Sequence, residues 1–175
     1  MGPESFETVV VTHHPEIHRY LVRVTRRVAE ADDLSQETFL RAYRAYRTLP
    51  EDANVRAWLF AIATNLFRNH LRSERRRSTA HAEVRATGDE AKGEGPEGQT
   101  LFNETRDLIE DVVAGLPFKQ RTAFVMRKIH DLDYEVIARG LDCSAESARA
   151  HVFQALKKIR HSLNGHALPL TEVSR

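Results

Sequence analysis

A stretch with almost nothing to bury sets the plan of this chain. Residues 78–100 read STAHAEVRATGDEAKGEGPEGQT, with four glycines, one proline and almost no large apolar side chain. Such a segment cannot bury enough surface to offset the entropy of ordering it, so it reads as a flexible linker. On either side apolar residues return at helical spacing, and no strand alternation stands out. The expectation is an all-α chain of two small helical domains, residues 1–77 and 101–164, joined by residues 78–100 and followed by a short tail at 165–175. From Ser78 to Asp111 nine acids face three bases, a net of −6, although all 175 residues together carry only +1. An acidic strap therefore lies between basic segments, and the whole-chain charge conceals both.

In the first half, EIHRYLVRVTRRV places Ile17, Leu21, Val24 and Val28 on one stripe, with Pro15 suited to the first turn of that helix. DDLSQETFLRAYRAYRTL follows, acidic at its start and basic later, as the helix dipole favours. PEDAN is a break, and a third helix starts near Asn54 and runs to Arg77. At 100° per residue, Val55, Trp58, Leu59, Ile62 and Leu66 form a core stripe. Ala61, Asn65, Arg68, Arg72 and Arg75 form a second stripe. There the small Ala61 permits close approach, Asn65 offers a donor and an acceptor for base edges, and the guanidinium groups match phosphate geometry. The bland alternative is a solvated basic face.

In the second half, helices are expected over LFNETRDLIEDVVAGL, PFKQRTAFVMRKI, DYEVIARGL and SAESARAHVFQALKKIRHSL. The last two have the spacing of a helix-turn-helix. Ile137, Ala138 and Leu141 pack its first helix, DCSAE is the turn, and Ser144 is the N-cap. Ala148, Val152, Ala155, Leu156, Ile159 and Leu163 face inward. Ser147, Ala150, His151, Gln154, Lys158 and His161 face away, with Arg149 and Lys157 on the flanks. Small and hydrogen-bonding residues early and lysines late suit major-groove entry with phosphate anchoring. An ordinary helical hairpin is the alternative.

Several classes are set aside. The single cysteine, Cys143, supports neither a disulfide framework nor a CxxC metal site, and a reducing cytoplasm fits best. No apolar run is long enough for a membrane span, and MGPESFETVV lacks the pattern of a secretory signal, so no membrane insertion is expected. His13, His14 and His18 invite a metal reading, but no carboxylate or cysteine cluster accompanies them and Pro15 lies between. Neither a metal nor another cofactor is expected. No Ser-His-Asp arrangement, P-loop or paired-carboxylate signature is present, so the chain does not read as an enzyme.

EADDLSQETFLRAYRAY, WLFAIATNLFRNHLRSERRR and LPFKQRTAFVMRKIHDLDYEVIARGLDCSAESARAHVFQALKKIR together resemble bacterial sigma factors of the extracytoplasmic-function group. The resemblance implies a region 2 domain and a region 4 helix-turn-helix domain. It implies that Asp33, Gln36 and Glu37 dock on the β′ clamp helices of core RNA polymerase, with region 4 on the β flap. Residues 48–54, including Asn54, correspond to the loop that captures a base flipped from the −10 element. Ala61 and Asn65 fall in the −10 reading helix, and Arg68, Arg72, Arg75, Arg76 and Arg77 would hold phosphates. Ser147, Arg149, Ala150, His151, Gln154, Lys157 and Lys158 fall in the −35 reading helix. An anti-sigma partner is also implied.

The chain departs from the family pattern at three places. One is PEDANV, which is not the commonest sequence of the base-capturing loop, so the resemblance does not carry over the −10 base choice. Asp142 stands where the turn often has glycine, and His151, Phe153 and Gln154 replace frequently basic positions, which weakens phosphate attraction there. The competing reading is a stand-alone helix-turn-helix regulator. It explains residues 101–163 and leaves DDLSQETF and IATN without a role.

Overall fold

The computed structural model describes residues 5–81 and 100–165. Its elements are α1 (Phe6–Thr25), α2 (Val28–Ala45), a 3-10 turn (Tyr46–Thr48), α3 (Val55–His81), α4 (Thr100–Ala114), α5 (Phe118–Lys128), α6 (Tyr134–Leu141) and α7 (Ala145–Gly165), with no strand among the described residues. α3 runs four residues beyond Arg77 into the segment assigned to the linker, and α4 takes its last residue. The rest of that segment and the tail after Gly165 lie outside the described residues.

Both ends of α1 also differ from the sequence expectation. α1 starts at Phe6, capped by Ser5, whose Oγ accepts from the Thr8 N–H at 3.3 Å. Pro15 is therefore inside α1, not in its first turn. It is tolerated because it lies on the solvent side, where Val11, the residue that loses its i+4 partner, is 78% exposed. α1 then stops at Thr25, because Arg26 adopts a left-handed conformation (φ 64°) and its N–H bonds to the Val22 carbonyl. Ile17, Leu21 and Val24 are buried as expected, but Val28 is not on their stripe; it opens α2 and is exposed. No glycine or asparagine marks this break.

α3 is buried on two sides. Leu59 and Leu66 of the expected stripe are buried, while Val55, Trp58 and Ile62 pack half-buried around them. The additional buried stripe is Phe60, Ala63, Thr64 and Phe67. A helix apolar most of the way round must be covered most of the way round. LFAIATNLF carried that signal, and the single-stripe reading missed it.

The second cover is the second half of the chain. α1 and α2 pack on one side of α3; α6 packs on the other, and α5 lies against α1. One apolar cluster therefore runs from Val9 through Phe60 and Phe67 to Met126, Ile137, Leu141 and Val152. Phe67 meets the Phe118 ring edge-on at 5.5 Å. The two helical halves are thus joined by a shared core as well as by the chain between them.

At the closest approach of α6 to α3, Gly140 faces Thr64. A Cβ on Gly140 would lie 3.2 Å from the Thr64 Cβ. Glycine inside a helix costs about 1 kcal/mol relative to alanine, and here its missing side chain is what lets the backbones approach. Thr64 is fully buried; its hydroxyl donates to the Phe60 carbonyl at 2.7 Å and sits 2.7 Å from the Tyr20 hydroxyl. The Met126 sulfur, from the other half, is 3.8 Å away.

A charged network borders this core. Glu16 of α1 receives two bonds from Arg56 of α3, Nε to Oε2 at 2.9 Å and Nη2 to Oε1 at 2.5 Å. The same Nη2 also donates to the His130 carbonyl between α5 and α6, and the His130 ring lies 3.1 Å from Glu16. The Arg56 bonds hold the Glu16 carboxyl down at about 2, against burial, with help from His130. Burial depresses the His130 imidazole, which favours its neutral form.

Because its folded value lies below the ordinary 4.5, Glu16 adds stability that is fully present above pH about 4.5 and is lost as pH falls toward 2. Glu16→Gln should lower the urea midpoint at pH 7 and flatten its dependence on pH between about 5 and 3. An unchanged acid limb would show that this network contributes nothing to folding.

Candidate nucleic-acid interface

The basic stripe of α3 does not present a uniform surface. Arg72, Arg75 and Arg76 are exposed, as is Arg77, whose Nη2 donates to the Ser73 hydroxyl at 3.1 Å. Ala61 and Asn65 are half-buried. Arg68 is the exception, with its side chain only 17% exposed. Its Nη2 donates to the Asn65 Oδ1 at 2.5 Å, and its Nη1 lies 3.5 Å from Asp142 Oδ2 in the helix-turn-helix turn. Its Nε and Nη1 are buried without a hydrogen-bond partner among the described residues. Arg68 lies only 40° round the helix from Thr64, next to the stripe that α6 covers, whereas Arg72 lies further round.

Asn54 is the N-cap of α3, its Oδ1 accepting from the Ala57 N–H at 2.9 Å. The loop before it is anchored by Thr48, whose hydroxyl donates to the Ala45 carbonyl at 2.8 Å.

In the second half, α6 and α7 form the helix-turn-helix. Ile137, Ala138 and Leu141 are buried, as are Ala148, Val152, Ala155 and Ile159, with Leu156 and Leu163 half-buried. Ser144 caps α7, accepting from the Ser147 N–H at 3.1 Å. Asp142 ends α6 in the left-handed region (φ 53°), the conformation that glycine adopts at no steric cost. Arg149, Ala150, Gln154, Lys157 and Lys158 are exposed on α7, as is Phe153 at 67%. Two polar side chains are already engaged: the Arg149 guanidinium stacks 4.9 Å over the Tyr134 ring, and Gln154 accepts from Gln120 Nε2 at 2.8 Å. Ser147 is half-buried. His151 faces outward only in part. It is half-buried with Nδ1 enclosed and its imidazole held down by burial and by Lys119, because it lies at the edge of the buried face beside Ala155.

On α2, Asp33 and Gln36 are exposed, and Glu37 is half-buried and paired with Arg41 at 2.6 Å. Leu34 and Phe39 belong to the core; Leu40 and Tyr43 are exposed at 46% and 64%. Gln36 borders an open groove of about 510 Å³ between α1 and α2, floored by Phe6, Val10 and Phe39.

His13, His14 and His18 do not form a trio of metal-ligating atoms among the described residues. His18 bonds Asp32 at 2.7 Å and stacks on His14. Sequence reasoning missed a different trio: Glu30 of α2 with His70 and Glu74 of α3, whose ligand atoms lie within 4.8 Å of one another. Arg27 already lies 2.6 Å from Glu30 and 3.8 Å from Glu74, so these carboxylates face a cation of the chain itself. Burial raises the Cys143 thiol, against reactivity. No helix among the described residues is long and apolar enough to cross a membrane.

An all-helical chain with a basic helix in one half and a helix-turn-helix in the other belongs to the class of DNA-binding transcription proteins. The comparisons narrow this class. Residues 9–77 match the sigma-70 region 2 family and residues 106–159 match sigma-70 region 4. The chain is 32% identical over 166 residues to the RNA polymerase sigma-H factor of Pseudomonas aeruginosa, covering 91% of this chain and 86% of that one. It is 31% identical over 165 residues to the ECF RNA polymerase sigma-E factor of Escherichia coli K12, covering 89% and 85%. The fold is similar to the sigma factor RpoE solved with the anti-sigma factor NepR from Bartonella quintana (TM-score 0.74, 20% identity, 91% and 96% covered). It is also similar to CnrH solved with the cytosolic domain of CnrY (TM-score 0.63, 21% identity, 91% and 88% covered). The chain belongs to the sigma-70 family, in its extracytoplasmic-function group: it is an RNA polymerase sigma factor, a subunit that directs promoter-specific initiation. Sigma factors as a family are not enzymes.

The cap at Asn54 can be separated from any contact with DNA. Asn54→Ala should lower stability by about 1 kcal/mol, while Asn54→Asp, which keeps the accepting oxygen, should stay near the parent. Thermal melts of the free protein check this; equal losses in both variants would remove the capping role.

Proposed function

We propose that residues 1–77 dock on core polymerase and read the −10 element, and that residues 101–164 read the −35 element. The observation that carries this reading is the pairing of two separate basic helices, the exposed arginine end of α3 and the outward face of α7, in one chain of this family. In α3, Ala61 and Asn65 approach the melted strand while Arg68, Arg72, Arg75, Arg76 and Arg77 hold phosphates. The loop at 48–54 receives an unstacked base, which offsets an unstacking cost of a few kcal/mol. In α7, Ser147, Arg149, Ala150, His151 and Gln154 lie toward the major groove, Phe153 offers an apolar surface to a thymine methyl, and Lys157 and Lys158 anchor phosphates.

Asp33, Gln36 and Glu37 contact the β′ clamp helices, supported by exposed Leu40 beside the groove, and region 4 contacts the β flap. The acidic segment between the halves runs through a positively charged channel of the polymerase. The chain works in the cytoplasm, without an enzymatic activity or cofactor of its own, and an anti-sigma protein restrains it. A formal charge of only +1 supports weak DNA binding without polymerase, since phosphate attraction sets non-specific affinity.

Gln36→Ala with Glu37→Ala should weaken binding to core polymerase with helicity unchanged; equal affinity by titration would overturn the docking assignment. Arg149→Ala and Gln154→Ala should each reduce discrimination at one −35 position by about 1–3 kcal/mol. A loss equal on all sequences would assign them to phosphate anchoring instead. Transcription in vitro with core polymerase on a promoter library tests the whole reading and returns the preferred sequence.

A further inference from the structure

We propose that Glu30, His70 and Glu74 form a binding site for a divalent transition-metal ion of the zinc class, which staples the first turn of α2 to the basic end of α3. His70 and Glu74 stand one helical turn apart on α3, so both side chains leave the same face. Glu30 meets them from the first turn of α2. The His70 Nε2 lies 3.6 Å from Glu30 Oε2 and 3.6 Å from Glu74 Oε1, and all three donor atoms lie within 4.8 Å of one another. An ion held tetrahedrally at about 2.1 Å keeps its donors about 3.4 Å apart, so the trio needs only a small inward movement to close on one.

The imidazole nitrogen is the atom that calls for a ligand. His70 Nε2 is enclosed and has no hydrogen-bond partner among the described residues, although two carboxylates flank it. At 3.6 Å neither carboxylate is within hydrogen-bonding reach. An enclosed polar atom without a partner costs free energy, and an ion between the three donors would take up its lone pair. One imidazole nitrogen and two carboxylate oxygens are a donor set that zinc accepts, with water in the fourth position.

Arg27 is the competitor of such an ion. Its Nη1 lies 2.6 Å from Glu30 Oε1 and 3.8 Å from Glu74 Oε1. The close bond uses the oxygen of Glu30 that His70 does not face, which leaves Oε2 available. The long one is a surface pairing of little strength, and the Arg27 side chain, 57% exposed, can swing into water. Two carboxylates are better matched by a doubly charged ion than by one guanidinium.

The site has a mechanical consequence. From Arg68 to Ser78 no residue of α3 is buried, so this end of the helix leaves the core. An ion held by Glu30, His70 and Glu74 would fix it to α2, and with it the run of exposed arginines at 75–77. The ion is a reversible structural ligand with no part in any reaction. The inference stands whether or not α3 reads the −10 element, because it concerns only the ion and two helices.

Titration of tag-free, full-length protein with zinc chloride against a chromophoric chelator tests the site. The parent should bind one zinc per chain. His70→Ala and Glu30→Gln should each weaken binding at least tenfold, and Arg27→Ala should tighten it several-fold. Backbone hydrogen exchange at residues 70–78 should slow with zinc in the parent and not in His70→Ala. Each of these side chains is at least one-fifth exposed, so the variants should keep the fold, which circular dichroism checks. No stoichiometric zinc in the parent, equally tight binding in His70→Ala, or binding confined to Arg27→Ala each overturns the site. Zinc that is lost in His18→Ala and kept in His70→Ala is an adventitious ion on the stacked histidines of α1, and overturns it as well.

Discussion

The approach of α6 to α3 at Gly140 and Thr64 organises the rest of the molecule. Two helix backbones can come this close only where one lacks a Cβ, and the buried Thr64 hydroxyl must then be satisfied from within. Tyr20 and the Phe60 carbonyl do that from the first half, and Met126 closes the site from the second. Around this point the rings of Tyr20, Phe60 and His130 pack within 5.0–5.8 Å of one another. The apolar burial that stabilises each half is therefore partly shared, and separating the halves exposes surface from both.

Electrostatics follow the same division. Among the basic residues of α3, those toward its C-terminal end remain at the surface, while Arg68 is drawn into the contact with Asp142. The positive charge that would attract phosphate is available in part, and the near-neutral total leaves no general field to draw the chain to DNA. On α7 the cationic residues are exposed, but Arg149 rests on Tyr134 and Gln154 is held by Gln120. These contacts fix the orientation of the side chains and must be exchanged for contacts to DNA if they are to read bases.

Much of the site was legible because short-range rules govern it. Ser144 before a helical run marked the α7 cap, and apolar spacing marked Ile137, Leu141, Val152 and Ile159 as the packing face of the helix-turn-helix. The α1–α2 break was not legible, because Arg26 takes a left-handed turn that its residue type does not announce, and Val28 fell on the wrong helix as a result. Pro15 misled in the other direction, since proline starts many helices but is accepted inside one where its side faces water. His151 sits at the margin of the buried arc, where a wheel drawn at 100° per residue gives no firm side.

The sequence by itself determined the helical content apart from the bounds of α1, the helix-turn-helix, the family and the residue types available to touch DNA and polymerase, because each depends on spacing within one segment. Tertiary structure alone decided that the two halves share a core, that Arg68 is enclosed while Arg72 is open, and that Glu16, Arg56 and His130 meet. Those three lie 40 and 74 residues apart along the chain. Local periodicity says that a face must be covered; it does not say by what. Only the fold, by bringing distant segments together, supplies the partner.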